Sequence, residues 1–60
     1  MLNLYAVVVD TGFTNVDVVN VRARNQDEAF DQALIVLDIP YLSVETANVT
    51  LIREGAHVSH

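Results

Sequence analysis

The sequence predicts an α+β fold of the order β-β-α-β, in which a three-stranded antiparallel sheet carries one helix on one face. Four observations support this prediction. β-branched and other apolar residues fill positions 2–10, as is typical of a strand. Apolar and polar residues then alternate over positions 16–24. A capped segment with helical periodicity follows directly, and a second alternating run covers positions 46–54. We interpret residues 1–60 as a single domain, with an ordered core over about 2–54 and a flexible tail over about 55–60.

The first predicted strand is apolar on both faces, which is typical of a central strand that is covered on both sides. One face carries Leu2, Leu4, Ala6 and Val8, and the other carries Asn3, Tyr5, Val7 and Val9. We expect the helix to cover the Ala6 side. Residues 11–15, which include Gly12, form a five-residue hairpin loop to the second strand. On that second strand we expect Val19, Val21 and Ala23 to face the helix, and Val18 and Arg22 to face away.

The helix is predicted over residues 26–38. Asn25 is a good N-cap, and Glu28 lies where its side chain can reach back to the cap amide, as in a capping box. Pro40 disfavours helix at Ile39 and so ends the element. The apolar stripe of the helix has the spacing i, i+3, i+4 and consists of Ala29, Phe30, Ala33, Leu34 and Leu37.

One helix covers only one face of a sheet, so the opposite face is left open. We expect the second and third strands to flank the first. The residues then predicted on the open face are Tyr5, Val7, Val9, Val18 and Ile52, with Arg22 and Arg53 beside them. An exposed apolar patch larger than a few hundred Å² indicates an interaction surface. The two arginines are candidate binding residues, since arginine is enriched at interface hot spots; the alternative is that they are edge-strand charges that discourage aggregation.

The composition excludes several classes of function. Eight carboxylates against three arginines, with no lysine, give a net charge of −5. This charge argues against direct binding of nucleic acid, where clustered lysine and arginine supply the affinity. It permits a basic partner or mimicry of nucleic acid by Asp27, Glu28, Asp31 and Asp38. The chain contains no cysteine, so cysteine usage does not indicate a redox compartment. No apolar run is long enough to span a membrane and no segment is typical of an export signal, so we expect a soluble cytoplasmic protein.

Chemical signatures are sparse. His57 and His60 have a spacing that could bind a metal only in a helix, and both fall in the predicted tail. Gly12 and Gly55 are isolated and form no phosphate-binding loop. We therefore expect no catalytic site, no cofactor and no metal.

The order of elements, together with the segments RARNQDEAFDQA and NVTLIRE, resembles a family of small phage proteins. These are the inhibitors of host RNA polymerase made by podophages of the T-odd coliphage type. The resemblance covers about residues 4–54 and implies a helix packed on a three-stranded antiparallel sheet. It also implies that third-strand arginines two residues apart contact the polymerase in the host cytoplasm. Arg53 occupies one of those two positions, and Leu51 occupies the other.

Three hypotheses follow from these observations. The first is a non-catalytic protein-interaction module that inhibits host RNA polymerase or another host protein. The second is a homo-oligomeric module that pairs through its open sheet face around Tyr5, Val7 and Val9. The third is an acidic mimic of nucleic acid.

Overall fold

The computed structural model describes residues 2–12 and 16–55, and it has the predicted β-β-α-β order. The elements are β1 (Asn3–Asp10), β2 (Val16–Ala23), α1 (Gln26–Leu37), a short 3₁₀ turn (Tyr41–Ser43) and β3 (Thr46–Arg53). The strand order is β2-β1-β3, and both outer strands are antiparallel to β1. The fold class and the central position of β1 are therefore confirmed. Within the described residues no helix is both long enough and apolar enough to cross a membrane.

The predicted flexible tail falls mostly on residues 56–60, which lie outside the described residues. Gly55, the last described residue, is tied to the start of β1. Its backbone N–H donates to Asn3 Oδ1 at 2.7 Å. The end of the chain after β3 is thus fixed beside the first strand as far as Gly55.

Local side-chain chemistry starts the helix where the sequence predicts. Asn25 has an extended backbone, and its Oδ1 accepts a hydrogen bond from the Glu28 backbone N–H at 2.8 Å. Glu28 Oε1 in turn accepts from the backbone N–H of Arg24 at 3.0 Å. The capping pair is therefore present, although the glutamate reaches the residue before the cap and not the cap amide. Asp27 and Glu28 also place negative charge in the first turn, where the helix dipole favours it.

The helix ends at Leu37, one residue earlier than predicted. Asp38 adopts the left-handed conformation, with φ 57° and ψ 45°. Its N–H donates to the Ile35 carbonyl at 3.2 Å, and the Ile39 N–H donates to the Leu34 carbonyl at 3.0 Å. This pair of bonds is a Schellman motif, which usually has glycine at the left-handed position. Asp38 is therefore a helix cap and not the last helical residue.

The hydrophobic core lies between α1 and one face of the sheet. The helix contributes the predicted apolar stripe to the core. Ala29, Ala33 and Leu34 are buried, and Phe30 and Leu37 are partly buried and pack against the core. The small alanines let the helix axis approach the strands closely. The sheet contributes Tyr5, Val7, Val9, Val21 and Ala23.

The prediction that α1 covers the Leu4, Ala6 and Val8 side of β1 is wrong. Tyr5, Val7 and Val9, which we expected on the open face, are buried beneath the helix, and Val7 and Val9 are 0% exposed. The cause is the register of the hairpin. Val7 pairs with Val19 and Tyr5 pairs with Val21. Residues directly opposite each other in an antiparallel pair lie on the same face. The faces of β2 were predicted correctly. Because each β1 residue lies on the same face as its β2 partner, the faces of β2 determine those of β1.

Leu34→Ala tests the helix phase. We expect the free energy of unfolding to fall by about 2–5 kcal/mol, because the substitution removes a buried leucine and leaves a cavity. The measurement is urea denaturation followed by circular dichroism. The adjacent Ile35 is exposed and serves as the matched control. Ile35→Ala should change the same free energy by less than about 0.5 kcal/mol. Equal effects of the two substitutions would show that the helix is rotated from the position described.

Asp38→Gly tests the helix cap. A non-glycine residue in the left-handed conformation costs about 1 kcal/mol, and a negative charge at a helix C-terminus is unfavourable. We therefore expect Asp38→Gly to raise the free energy of unfolding by about 1 kcal/mol. Asp38→Asn removes the charge and keeps a side chain at the left-handed position, so the difference between the two variants reports what glycine gains there over asparagine. A glycine variant less stable than the wild type would contradict this cap geometry.

Neighbouring valines on β1 test the assignment of the two faces. Val7→Glu places an unpaired carboxylate in the core, and we expect the chain to unfold at neutral pH. Val8→Glu makes the same chemical change one residue later, on the half-buried opposite face. We expect that variant to keep the wild-type circular dichroism spectrum. A folded Val7→Glu variant, whether or not Val8→Glu folds, would contradict the placement of Val7 in the core.

Candidate functional site

The face of the sheet opposite α1 is left uncovered by the helix. Its centre is the β1 column of Leu4, Ala6 and Val8, all half-buried by their neighbours. The pairing register places one residue of each outer strand beside each member of this column. On β2 the neighbours are Arg22, Asn20 and Val18, and on β3 they are Arg53, Thr50 and Asn48. The open face thus has an apolar centre, with flanks that are polar or charged except at Val18.

Two arginines lie at one end of this face. Leu4 pairs with Arg22 on β2 and with Arg53 on β3, which forms an Arg22–Leu4–Arg53 row across the sheet. Neighbouring strands lie about 4.8 Å apart, so the two arginine Cα atoms are about 10 Å apart. The register therefore places both Arg22 and Arg53 on the open face. The row presents two guanidinium groups on either side of an apolar side chain.

A β-bulge on β3 creates this row. Tyr5 pairs with Leu51, but the next residue on β1, Leu4, pairs with Arg53, so Ile52 is the extra residue. Strict alternation would put Arg53 on the same side as Leu51, which is the helix side. The bulge instead places Arg53 opposite Leu4, on the open face. Alternation in the sequence does not reveal this shift.

The predicted site residues divide into two groups. Arg22, Arg53, Val18 and Ile52 are exposed on the open face, with 63% of Val18 and 50% of Ile52 accessible. Tyr5, Val7 and Val9 lie in the core beneath the helix. The Tyr5 hydroxyl accepts a hydrogen bond from Asn3 Nδ2 at 3.2 Å, within β1 itself. The residues that sequence reasoning missed are Leu4, Ala6 and Val8, and the hairpin register is the signal that could have found them.

The opposite end of the open face carries a carboxylate. Asp10 follows Val9 on β1 and pairs with Val16 and Thr46. Its Oδ1 accepts a hydrogen bond from the Gly12 backbone N–H at 2.8 Å, and its carbonyl oxygen accepts from the Glu45 N–H at 2.8 Å. Asp10 therefore links β1 to the hairpin loop and to the start of β3. The face is basic at the Leu4 end and carries this single carboxylate at the other.

The four helical carboxylates considered for mimicry differ in their surroundings. The Glu28 carboxylate is engaged by the Arg24 N–H, and Asp38 lies in the cap after the helix. Asp27 and Asp31 are exposed and lie one turn apart on α1. Glu28 also lies one turn before Asp31, so these three carboxylates are neighbours on α1. Asp38 lies about two turns beyond Asp31, so the four do not form one continuous array.

The described residues, 2–12 and 16–55, contain no group of three histidine, cysteine or acidic side chains that could hold a metal ion. His57 and His60 lie outside them. Comparison with protein-family models, with curated proteins and with solved structures finds no match for this chain. The resemblance to the phage inhibitors therefore rests on the residues of the sequence alone.

Proposed function

We propose that this chain is a small non-catalytic protein-interaction module that binds a partner protein through the open face of its sheet. The observation that carries the proposal is the Arg22–Leu4–Arg53 row at the end of the apolar β1 column. An apolar centre flanked by arginine is the composition typical of protein interfaces. The open face of this small fold combines both features.

The chemistry of the row defines the partner. Each guanidinium forms paired hydrogen bonds with a carboxylate more readily than with other groups. The column of Leu4, Ala6 and Val8, widened by Val18 and Ile52, offers apolar area beside them. We therefore expect the partner to present carboxylates next to an apolar patch. The acidic helix is on the other side of the sheet and would not repel such a partner strongly.

Bacterial RNA polymerase, in the host cytoplasm, is the first partner to test. The resemblance to phage inhibitors implies that third-strand arginines contact that enzyme. Arg53 supplies one of them on the open face. Leu51 stands at the second position and faces the helix side, so Arg22 on β2 takes over the role of the second cation in this proposal.

A second copy of the chain is the other candidate partner. The charge distribution favours it, because most carboxylates lie on the helix side and two of the three arginines lie on the open face. When two open faces pack with their strands antiparallel, the arginine row of one copy meets the Asp10 end of the other. Parallel packing would bring the two arginine rows together. The antiparallel arrangement is therefore the dimer that charge favours.

Substitution of both arginines tests the proposed site. We expect Arg22→Gln with Arg53→Gln to weaken binding to purified bacterial RNA polymerase by at least about tenfold, because two charge-assisted contacts are lost. The measurement is surface plasmon resonance at physiological salt. Arg24 lies after β2 ends, and Arg24→Gln makes the same kind of charge change outside the row. We expect the affinity of that control to stay close to that of the wild type.

The apolar column provides a second arm of the same experiment. Val8→Glu should abolish binding, whereas Val36→Glu should not, since Val36 is exposed on the outer side of α1. The molar mass of the free chain, measured by light scattering, distinguishes self-association from binding to the polymerase. A dimer that Val8→Glu dissociates supports self-association through the open face. A chain that is monomeric and does not bind the polymerase would refute both versions of the proposal.

A further inference from the structure

A second uncovered surface lies on the helix side of the sheet, next to β3. α1 makes most of its sheet contacts with β2, where Val21 and Ala23 are buried. On the helix side of β3, by contrast, Ala47 is exposed and Leu51 is 43% exposed. The helix is therefore displaced toward β2. A groove, here called the helix–β3 groove, runs between α1 and the third strand.

The helix–β3 groove has two stretches that share Phe30 and Ala47. The first is lined by Phe30, Tyr41, Leu42, Val44, Glu45, Thr46 and Ala47, and the second by Gln26, Asp27, Phe30, Ala47, Asn48 and Val49. The ring of Phe30 meets Tyr41 edge-on, with centroids 6.0 Å apart and planes at 78°. This aromatic pair forms the wall at the end near the 3₁₀ turn. The apolar part of the lining is thus continuous through Phe30 and Ala47, and the stretch near the helix N-terminus adds the polar Gln26, Asp27 and Asn48.

The outer edge of β3 is open to pairing. Within residues 2–12 and 16–55, β3 pairs with β1 on one side only, and the backbone N–H and C=O groups on its other side meet no strand from that part of the chain. The ladder is regular from Thr46 to Leu51, and the bulge begins after Leu51. Such an edge is a template for an extended peptide, which adds a strand by main-chain hydrogen bonds. Alternate side chains of the added strand would point toward the groove.

The charges at the groove select the peptide. Asp27 lines the end near the helix N-terminus, and Glu45 lines the end near the aromatic wall. None of the residues that line either stretch is basic. Arg22 and Arg53 lie in the row on the open face. A bound peptide therefore meets negative charge at both ends of the groove.

We propose that the helix–β3 groove binds an extended peptide segment of another protein, with basic residues at both ends and apolar residues between them. The segment adds to the free edge of β3 as a fourth strand. Its two central groove-facing side chains pack opposite Ala47 and Val49. Its terminal basic side chains lie near Glu45 and Asp27. This surface is on the other side of the sheet from the Arg22–Leu4–Arg53 row and does not depend on the function proposed for that row.

A synthetic peptide provides a direct probe. The sequence Lys-Thr-Val-Thr-Val-Thr-Lys, blocked at both ends, places lysines and valines on one face and reads the same in both strand directions. We expect saturable binding in ¹H–¹⁵N NMR titrations, with the largest shifts at residues 46–51 and around Phe30. The peptide with glutamate in place of both lysines should bind at least about tenfold more weakly, because charge complementarity is reversed. Methylation of alternate backbone nitrogens of the peptide gives two variants, one for each set of N–H groups. The variant that lacks the N–H groups facing β3 should lose affinity, because the added strand loses its hydrogen-bond donors, and the other variant should not.

Two protein variants separate the groove from the rest of β3. Ala47→Arg fills the groove and adds a like charge, so we expect it to weaken peptide binding by at least about tenfold. Thr50→Arg makes the same charge change on the open-face side of the same strand, and we expect little change. The ¹H–¹⁵N spectra of both variants must stay dispersed, which shows that both are folded and can be compared. The glutamate and methylated peptides test the proposal on the wild-type chain in any case.

Three results would overturn the proposal. One is the absence of saturable binding at millimolar peptide. Another is a set of shifts centred on Val18 and Arg22, which would place the peptide on the open face. The last is a free chain that already dimerises through β3 and becomes monomeric on Ala47→Arg, because the occupant of the edge would then be a second copy. Loss of polymerase binding in the arginine variants, with peptide binding retained, would leave this proposal standing.

Discussion

The pairing of β1 with β2 determines which side chains enter the core. β1 is apolar on both sides, so its own composition allows either face to meet the helix. Over residues 19–23, β2 is apolar on one side only, with Val19, Val21 and Ala23 opposed by Asn20 and Arg22. Because Val7 lies opposite Val19, the asymmetry of β2 is imposed on β1 through the hairpin. The identity of the core and of the open face both depend on that register.

Local signals in the sequence were sufficient for the helix and for the order of the elements. The Asn25 cap with Glu28, the apolar stripe around Ala33 and the breaker at Pro40 act over a few residues, and each appears in the structure close to its predicted position. The face of β1 required a relation between two strands. A loop of residues 11–15 places Asp10 opposite Val16, and that count already puts Val7 opposite Val19. The information was therefore present in the loop length and not in the strand itself.

The β3 bulge could not be predicted by counting loop residues. The residues Leu51, Ile52 and Arg53 carry no glycine or proline that would mark an extra residue, and their alternation is compatible with a regular strand. The shift arises from how β3 meets the first residues of β1. One end of the open face, including half of its arginine row, thus follows from tertiary pairing. The apolar column and Arg22 follow from the hairpin alone.

The bulge also limits how far the sheet can grow. The sequence is 52% hydrophobic, and the part of it that the structure describes leaves one edge of β3 unpaired. Such an edge is a template for polymerisation into open-ended assemblies. Regular pairing along β3 stops after Leu51, where Ile52 interrupts the spacing of the backbone groups and Arg53 adds a charge. A short strand still fits along Thr46–Leu51, but a long flat ribbon meets an irregular end. The same extra residue that brings an arginine to the open face therefore helps to protect the chain from aggregation.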